Sequence, residues 1–366
     1  MTQGRELSRL SDDSSGSTGQ RSVSRRAFLA ATGATVTALS GCLVHGDDSG
    51  LRGEVIMDGS NTVLPHGAAV AEEFLWQNNR VQIPVRGSGT GAGFQRFCEG
   101  STDIQNASRS ILEREITQCE ENDIGYLELE ALLDGLALWV HPENDWCDCL
   151  TVEEIHRLWR SGSDVETWSD LRPDDPDFPD EEISLYGRDA ASGTFDYFTK
   201  AINGETGNIR NDYSASADTN VIVRGVRGNR YALGFGGAGY YYENEDALKL
   251  LGVDDGEGCV YPNTETIESG EYTPLTRAMY VYISTAGLTR EAVRAFARFY
   301  FEEIDPDDPK EGEIYERAVS DGFATPGETL TWTQWAARKV GYYAAPDDVV
   351  AESREELEAA IAEVTE

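Results

Sequence analysis

Three segments of the chain gather glycine, hydroxyl side chains and small residues in patterns suited to holding an anion. The first is Asp58-Gly59-Ser60-Asn61-Thr62, and the second is Gly87-Ser88-Gly89-Thr90-Gly91-Ala92-Gly93. The third is Gly187-Arg188-Asp189-Ala190-Ala191-Ser192-Gly193-Thr194. Each follows residues of strand character and precedes residues at helical spacing. N–H groups at a helix N-terminus point outward and carry partial positive charge, so they bind anions. Ser and Thr hydroxyls add donors, and glycine lets a ligand approach the backbone closely. Arg188 stands four residues before Ser192, and a guanidinium fork matches two oxygens of a tetrahedral anion. One such loop is an ordinary strand-to-helix turn. Three in one chain point to an oxyanion cage.

The elements that must position these loops alternate. Strands are expected at 53–57, 81–85, 183–186 and 281–283, with Pro84 marking a strand end or edge. Helices are expected at 67–78, where Val70, Phe74 and Leu75 recur at helical spacing, and at 94–99, 195–202 and 291–301. A last helix at 353–363 would start at a capping box of Ser353 and Glu356. Residues 170–182 form an acidic, proline-rich loop, and the Gly/aromatic stretch 232–242 should pack near a cleft. Alternating strands and helices imply an α/β fold with mostly parallel sheet.

Composition narrows the function. The 366 residues carry 66 Asp+Glu against 30 Lys+Arg, a net charge of -36, and only four lysines. Such acidity excludes a general nucleic-acid binder and docking through basic patches on anionic lipid. It fits a halophile, because molar salt screens the self-repulsion over about 3 Å. The first 23 residues are rich in Ser, Gly and Asp. Ser24-Arg25-Arg26-Ala27-Phe28-Leu29 is then a twin-arginine pattern, and 27–39 is an apolar stretch too short to span a bilayer. Leu39-Ser40-Gly41-Cys42 resembles a lipobox, with Cys42 as the lipid attachment. The body is therefore expected outside the cell membrane, where disulfides persist. Five cysteines remain, with Cys98 and Cys119 the best candidate pair and one thiol of the five left over.

Other chemistries lack their parts. Gly87-x-Gly89-x-x-Ala92 resembles a dinucleotide fingerprint, but Asp103 comes too early for the ribose acid. No Walker A lysine, G-x-S-x-G elbow or H-E-x-x-H pattern is present. His66, near the first loop, reads as a surface residue rather than a base. Cys147-Asp148-Cys149 and four scattered histidines give no zinc framework. Neither metal nor cofactor is expected, and no catalytic residue.

Four ordered stretches carry a resemblance. They are Asp58-Gly59-Ser60-Asn61-Thr62-Val63-Leu64-Pro65, Gly87-Ser88-Gly89-Thr90-Gly91, Asp103-Ile104-Gln105-Asn106-Ala107-Ser108-Arg109 and the run from Gly187 to Phe198. Weaker echoes are Cys149 to Ile155, Ala232 to Gly236 and Tyr272 to Arg277. Over 53–345 the chain resembles the extracytoplasmic phosphate-binding protein of the high-affinity phosphate ABC importer. The resemblance implies a two-lobed periplasmic-binding-protein fold (type II): two mixed sheets flanked by helices, a cleft between the lobes, and crossover strands near 136–141 and 279–282. The organisation would be signal 1–41, linker 42–52, lobe 1 at 53–140 and 276–350, lobe 2 at 141–275 and a C-terminal helix or tail at 351–366.

By the same resemblance phosphate would be bound by Thr62, Val63, Ser88, Ser108, Arg188, Ser192, Gly193 and Thr194. Asp189 would orient Arg188. Arg109 stands where some members carry aspartate. It would either bring a second guanidinium to the ligand or pair with Asp103 or Asp189, and the departure leaves selectivity among oxyanions open. The implied protein is a monomeric, lipid-anchored receptor that delivers phosphate to ABC permease subunits and is not an enzyme. The alternatives are a receptor for sulfate or arsenate, an extracellular phosphatase, or a phosphate sensor without a transport partner.

Overall fold

The computed structural model describes residues 50–242 and 244–365. The twin-arginine pattern and Cys42 lie outside the described residues. The backbone of the fold is one long strand, Tyr126–Val140. From Leu129 onward it is almost continuously apolar and buried, as a strand covered on both faces must be. Its first half pairs antiparallel with Thr276–Ser284, and its second half with Ala232–Gly237. Outward on one side lie Ile104–Ala107 and Met57–Gly59, and on the other Ser184–Arg188 and Ser214–Ser216. The outer pairs on both sides are parallel, as strand–helix–strand units require. The fold is thus mixed α/β, with antiparallel pairs at its centre and in a peripheral pair, Lys249–Asp254 with Cys259–Val260. The two expected sheets are joined into one eleven-stranded network among the described residues, because the 15-residue central strand is long enough to belong to both.

Two large apolar cores flank this strand. One gathers Val70, Phe74, Leu129, Leu132, Met279, Phe296 and Trp332. The other gathers Leu133, Leu138, Trp159, Trp168, Phe198, Phe235 and Leu275. The chain changes core between Leu132 and Leu133, and again between Leu275 and Met279. A satellite cluster of Phe94, Phe97 and Tyr282 surrounds the Cys98–Cys119 disulfide. A second disulfide joins Cys149 to Cys259, and Cys147 is the free, buried thiol among the described residues.

Several elements differ from expectation for local reasons. The first strand breaks into Gly53–Glu54, paired with Val81–Gln82, and Met57–Gly59 in the main sheet. The C-terminal helix is Asp347–Thr365, not 353–363. Asp347 and Asp348 occupy its first turn, so Ser353 is buried mid-helix instead of capping it. His66 is fully buried, contrary to the surface reading. Its Nε2 lies 2.9 Å from the Thr333 carbonyl and its Nδ1 2.9 Å from the Tyr300 hydroxyl.

Candidate functional site

A cavity of about 670 Å³ opens between the two cores. Three helix N-termini reach its wall. Thr62 and Pro65 bring the start of Leu64–Gln77, whose first turn holds proline where no N–H bond is lost. Ser192, Gly193 and Thr194 bring the start of Gly193–Asn203. Thr219 and Asn220 bring the start of Thr219–Arg227. The second and third helices are capped from their own sequence. Ser192 Oγ accepts from the Thr194 N–H at 3.2 Å, and Asp218 Oδ1 from the Asn220 N–H at 2.9 Å.

Arg188 lies on the wall between two of these helices. Its Nε donates to Ser192 Oγ at 3.0 Å and its Nη1 to Thr219 Oγ1 at 2.6 Å. No carboxylate lies within ion-pair distance of it among the described residues. Asp189, the expected partner, instead accepts from the Ala191 N–H at 3.2 Å. Two neutral hydroxyls therefore aim the guanidinium without cancelling its charge. In a chain of net charge -36, this places a net cation where helix N-termini meet.

The first and third loops meet directly. A Cβ on Gly193 would sit 2.9 Å from Thr62 Oγ1 and 4.0 Å from Ser108 Oγ, so only glycine lets these loops approach. Gly59 serves the first loop differently. Its φ of 132° and a would-be Cβ 2.1 Å from the Asn106 carbonyl admit no side chain there. Val63 is buried and caps the first helix through its backbone. Ser108 lies beside Gly193, its Oγ 3.0 Å from Thr90 Oγ1.

Two expected site residues have other partners. Ser88 Oγ donates to Asp58 Oδ2 at 2.9 Å, and its N–H to Asp58 Oδ1 at 3.1 Å. Asp58, 1 % exposed, also accepts from Gly59 and Arg96. These bonds outweigh its burial and hold its carboxyl below the usual range. Ser88 thus ties the second loop to the first. Arg109 makes a bidentate pair with Glu115 at 2.8 and 2.8 Å and lies over the Phe94 ring. Its partner is neither Asp103, which binds Arg290, nor Asp189. Glu115 wins because the helix Glu113–Glu121 follows at once and Glu115 also caps it through the Leu112 N–H.

The sequence reading missed three contributors. Thr219 carries a sequence signal in hindsight, since Asp218-Thr219-Asn220 is a capping pattern after a short strand. Asp134 and Arg277 lie on the two central strands and carry no local signal. Arg277 Nη2 is 2.8 Å from Asp134 Oδ2, and its Nη1 donates to the Gly193 carbonyl at 3.0 Å. Asp134 lines the cavity, as does Tyr342. Burial, with Asp134 nearby, pushes the Tyr342 phenol up, so it stays a protonated donor. The Gly/aromatic stretch does reach the cleft, through Gly237 to Tyr240.

Residues 46–303 match the model of the PBP superfamily domain. The chain belongs to the PBP superfamily. It is 40 % identical to protein SphX of Synechocystis over 263 residues, 71 % of this chain and 77 % of that protein. It is 37 % identical to the phosphate-binding protein PstS of Staphylococcus saprophyticus over 259 residues, 70 % of this chain and 78 % of that protein. A crystal structure of a possible phosphate binding protein from Planctomyces limnophilus superposes with TM-score 0.64 at 36 % identity, covering 85 % of this chain and 99 % of that one. An ABC-type phosphate transport receptor from Vibrio cholerae shares the fold, with TM-score 0.57 at 20 % identity.

Proposed function

We propose that this PBP-superfamily chain captures inorganic phosphate between its two lobes and hands it to the permease of an ABC importer. The carrying observation is Arg188: a guanidinium aimed by Ser192 and Thr219, with no carboxylate in ion-pair distance among the described residues, on a cavity where three helix N-termini meet. Four phosphate oxygens suit a fork plus convergent N–H and hydroxyl donors. The names of the SphX, PstS and Planctomyces relatives support the same ligand.

The direct ligands in this reading are Thr62, Val63, Ser108, Arg188, Ser192, Gly193 and Thr194. Ser88, expected beside them, fixes the second loop to Asp58, and Arg109 pairs with Glu115. Lobe 1 is residues 53–140 with 276–350, and lobe 2 is 141–275. The exchange of cores at Leu132–Leu133 falls ahead of the boundary at 140 and supports a hinge within the central strand. Ligand contacts to both lobes drive a hinge closure. The chain acts as a binding protein, not an enzyme, and takes neither metal nor cofactor. It is a monomer, exported by the twin-arginine route and held at the outer face of the cell membrane by lipid on Cys42, in a halophilic cell.

Titration calorimetry of the full chain, stripped of carried ligand, in molar KCl tests the reading. One phosphate site of micromolar affinity or tighter is the expected result. Turnover of a chromogenic phosphate ester, with or without divalent metal, would contradict it.

A further inference from the structure

In a chain with 66 acidic residues against 30 basic ones, a guanidinium readily finds a carboxylate. Arg109, Arg172, Arg298 and Arg338 each bond one directly. Arg224 and Arg227 depart from this. Both are exposed on the helix Thr219–Arg227 of lobe 2, and neither side chain bonds any described residue.

The two arginines belong to one face. Thr219, Ile222, Val223 and Val226 are buried and seat the helix, which leaves Asn220, Val221, Arg224 and Arg227 turned outward. Arg224 and Arg227 are three residues apart and therefore neighbours on the helix surface. Val221, three residues before Arg224, is 41 % exposed, one of few large apolar side chains left at the surface. The face thus offers one apolar contact beside two unpaired guanidinium forks. It also lies on the helix whose first residue, Thr219, aims Arg188 at the cavity.

We infer that this face docks the permease, through carboxylates on the permease's outer surface. The inference rests on the phosphate-import reading above and names the partner's chemistry and the contact residues. Charge complementarity selects the partner: a guanidinium fork matches a carboxylate with two parallel bonds. Two arginines in a chain of net charge -36 are too few to hold a nucleic acid or an anionic bilayer. Nor do they draw free phosphate inward, because molar salt confines their field to about 3 Å. Direct contact with a docked protein survives that screening.

The test is phosphate uptake at limiting phosphate by cells deleted for this chain and complemented with full-length variants. Arg224→Gln with Arg227→Gln should lower uptake about 10-fold or more, the scale of one hydrogen bond between charged groups. The purified variant should bind phosphate within about twofold of wild type by calorimetry and melt at the same temperature, since these side chains bond nothing in the fold. Arg114→Gln with Arg160→Gln removes the same charge from other exposed positions and should leave uptake unchanged. Wild-type uptake by the Arg224/Arg227 variant, an equal loss in the Arg114/Arg160 variant, or a parallel fall in phosphate affinity would overturn the docking face. Wild-type chain that binds phosphate but restores no uptake would instead overturn the import reading itself.

Discussion

Arg188 Nη1 lies 2.6 Å from Thr219 Oγ1, a side chain 31 residues away on the first turn of a different helix. This contact lets a cation face the cavity with its charge intact. A carboxylate in place of Thr219 would hold the guanidinium as firmly but cancel its field. Thr219→Val keeps the shape and removes the acceptor. It should weaken phosphate binding about 10-fold, the scale of one hydrogen bond to a charged group, with little change in melting temperature. Calorimetry with a parallel thermal melt checks this; unchanged affinity would mean that Thr219 does not aim Arg188.

Arg109 should behave in the opposite way. Glu115 is 5 % exposed and Arg109 is 34 % exposed, so Arg109→Ala strands a buried carboxylate. Losing one partner of a buried pair is destabilising, and the partial exposure of Arg109 reduces the cost to about 2 kcal/mol. Urea unfolding should show that loss while phosphate affinity shifts less than about threefold. A large affinity loss in a protein of unchanged stability would put Arg109 back at the ligand.

Most of the fold and part of the site were legible in the sequence, and the division has a physical basis. Thr62, Arg188, Ser192, Gly193 and Thr194 were legible because helix N-terminus chemistry is local: glycine, a cap and hydroxyls lie within a few residues. The helix Glu291–Phe301 was legible because its apolar spacing is local too. Asp134 was not, because its meaning depends on Arg277, 143 residues away on a neighbouring strand. Ser88 has a partner the sequence does not show for the same reason: its bonds to Asp58 form only in three dimensions. The Ser353 capping pattern failed because nothing local shows that the helix has already begun at Asp347.

His66 ties stability to pH. Burial pushes its imidazole down to about 4, partly offset by the bond to the Thr333 carbonyl. Unfolded, it titrates near about 6.5. Between these values the unfolded chain binds the extra proton, so stability falls as pH drops from about 6.5 toward 4 and is fully present above that window. The gap corresponds to about 3 kcal/mol. Urea unfolding at pH 7.5 and 4.5, with His66→Gln beside wild type, should show a smaller acid loss in the variant. Equal losses would mean His66 is protonated in the fold at little cost.

Cys147 should be silent while the protein is folded. It is buried, and burial pushes its thiol up to about 12, so almost no thiolate exists at neutral pH. With Cys42 lipidated or replaced by serine, Ellman's reagent should report no reactive thiol in the native protein and one per chain after unfolding without reductant. The other four cysteines of the described chain are held as Cys98–Cys119 and Cys149–Cys259. One fast-reacting thiol in the native state would contradict this placement.

The central claim is that Arg188 makes this cavity a phosphate site, and Arg188→Ala measured by calorimetry tests it most directly. With stripped protein in molar KCl, wild type should show one phosphate site. The variant should bind at least about 100-fold more weakly at an unchanged melting temperature, the scale of losing a charge-assisted fork. A folded Arg188→Ala that binds phosphate as tightly as wild type would place the anion elsewhere and contradict the account.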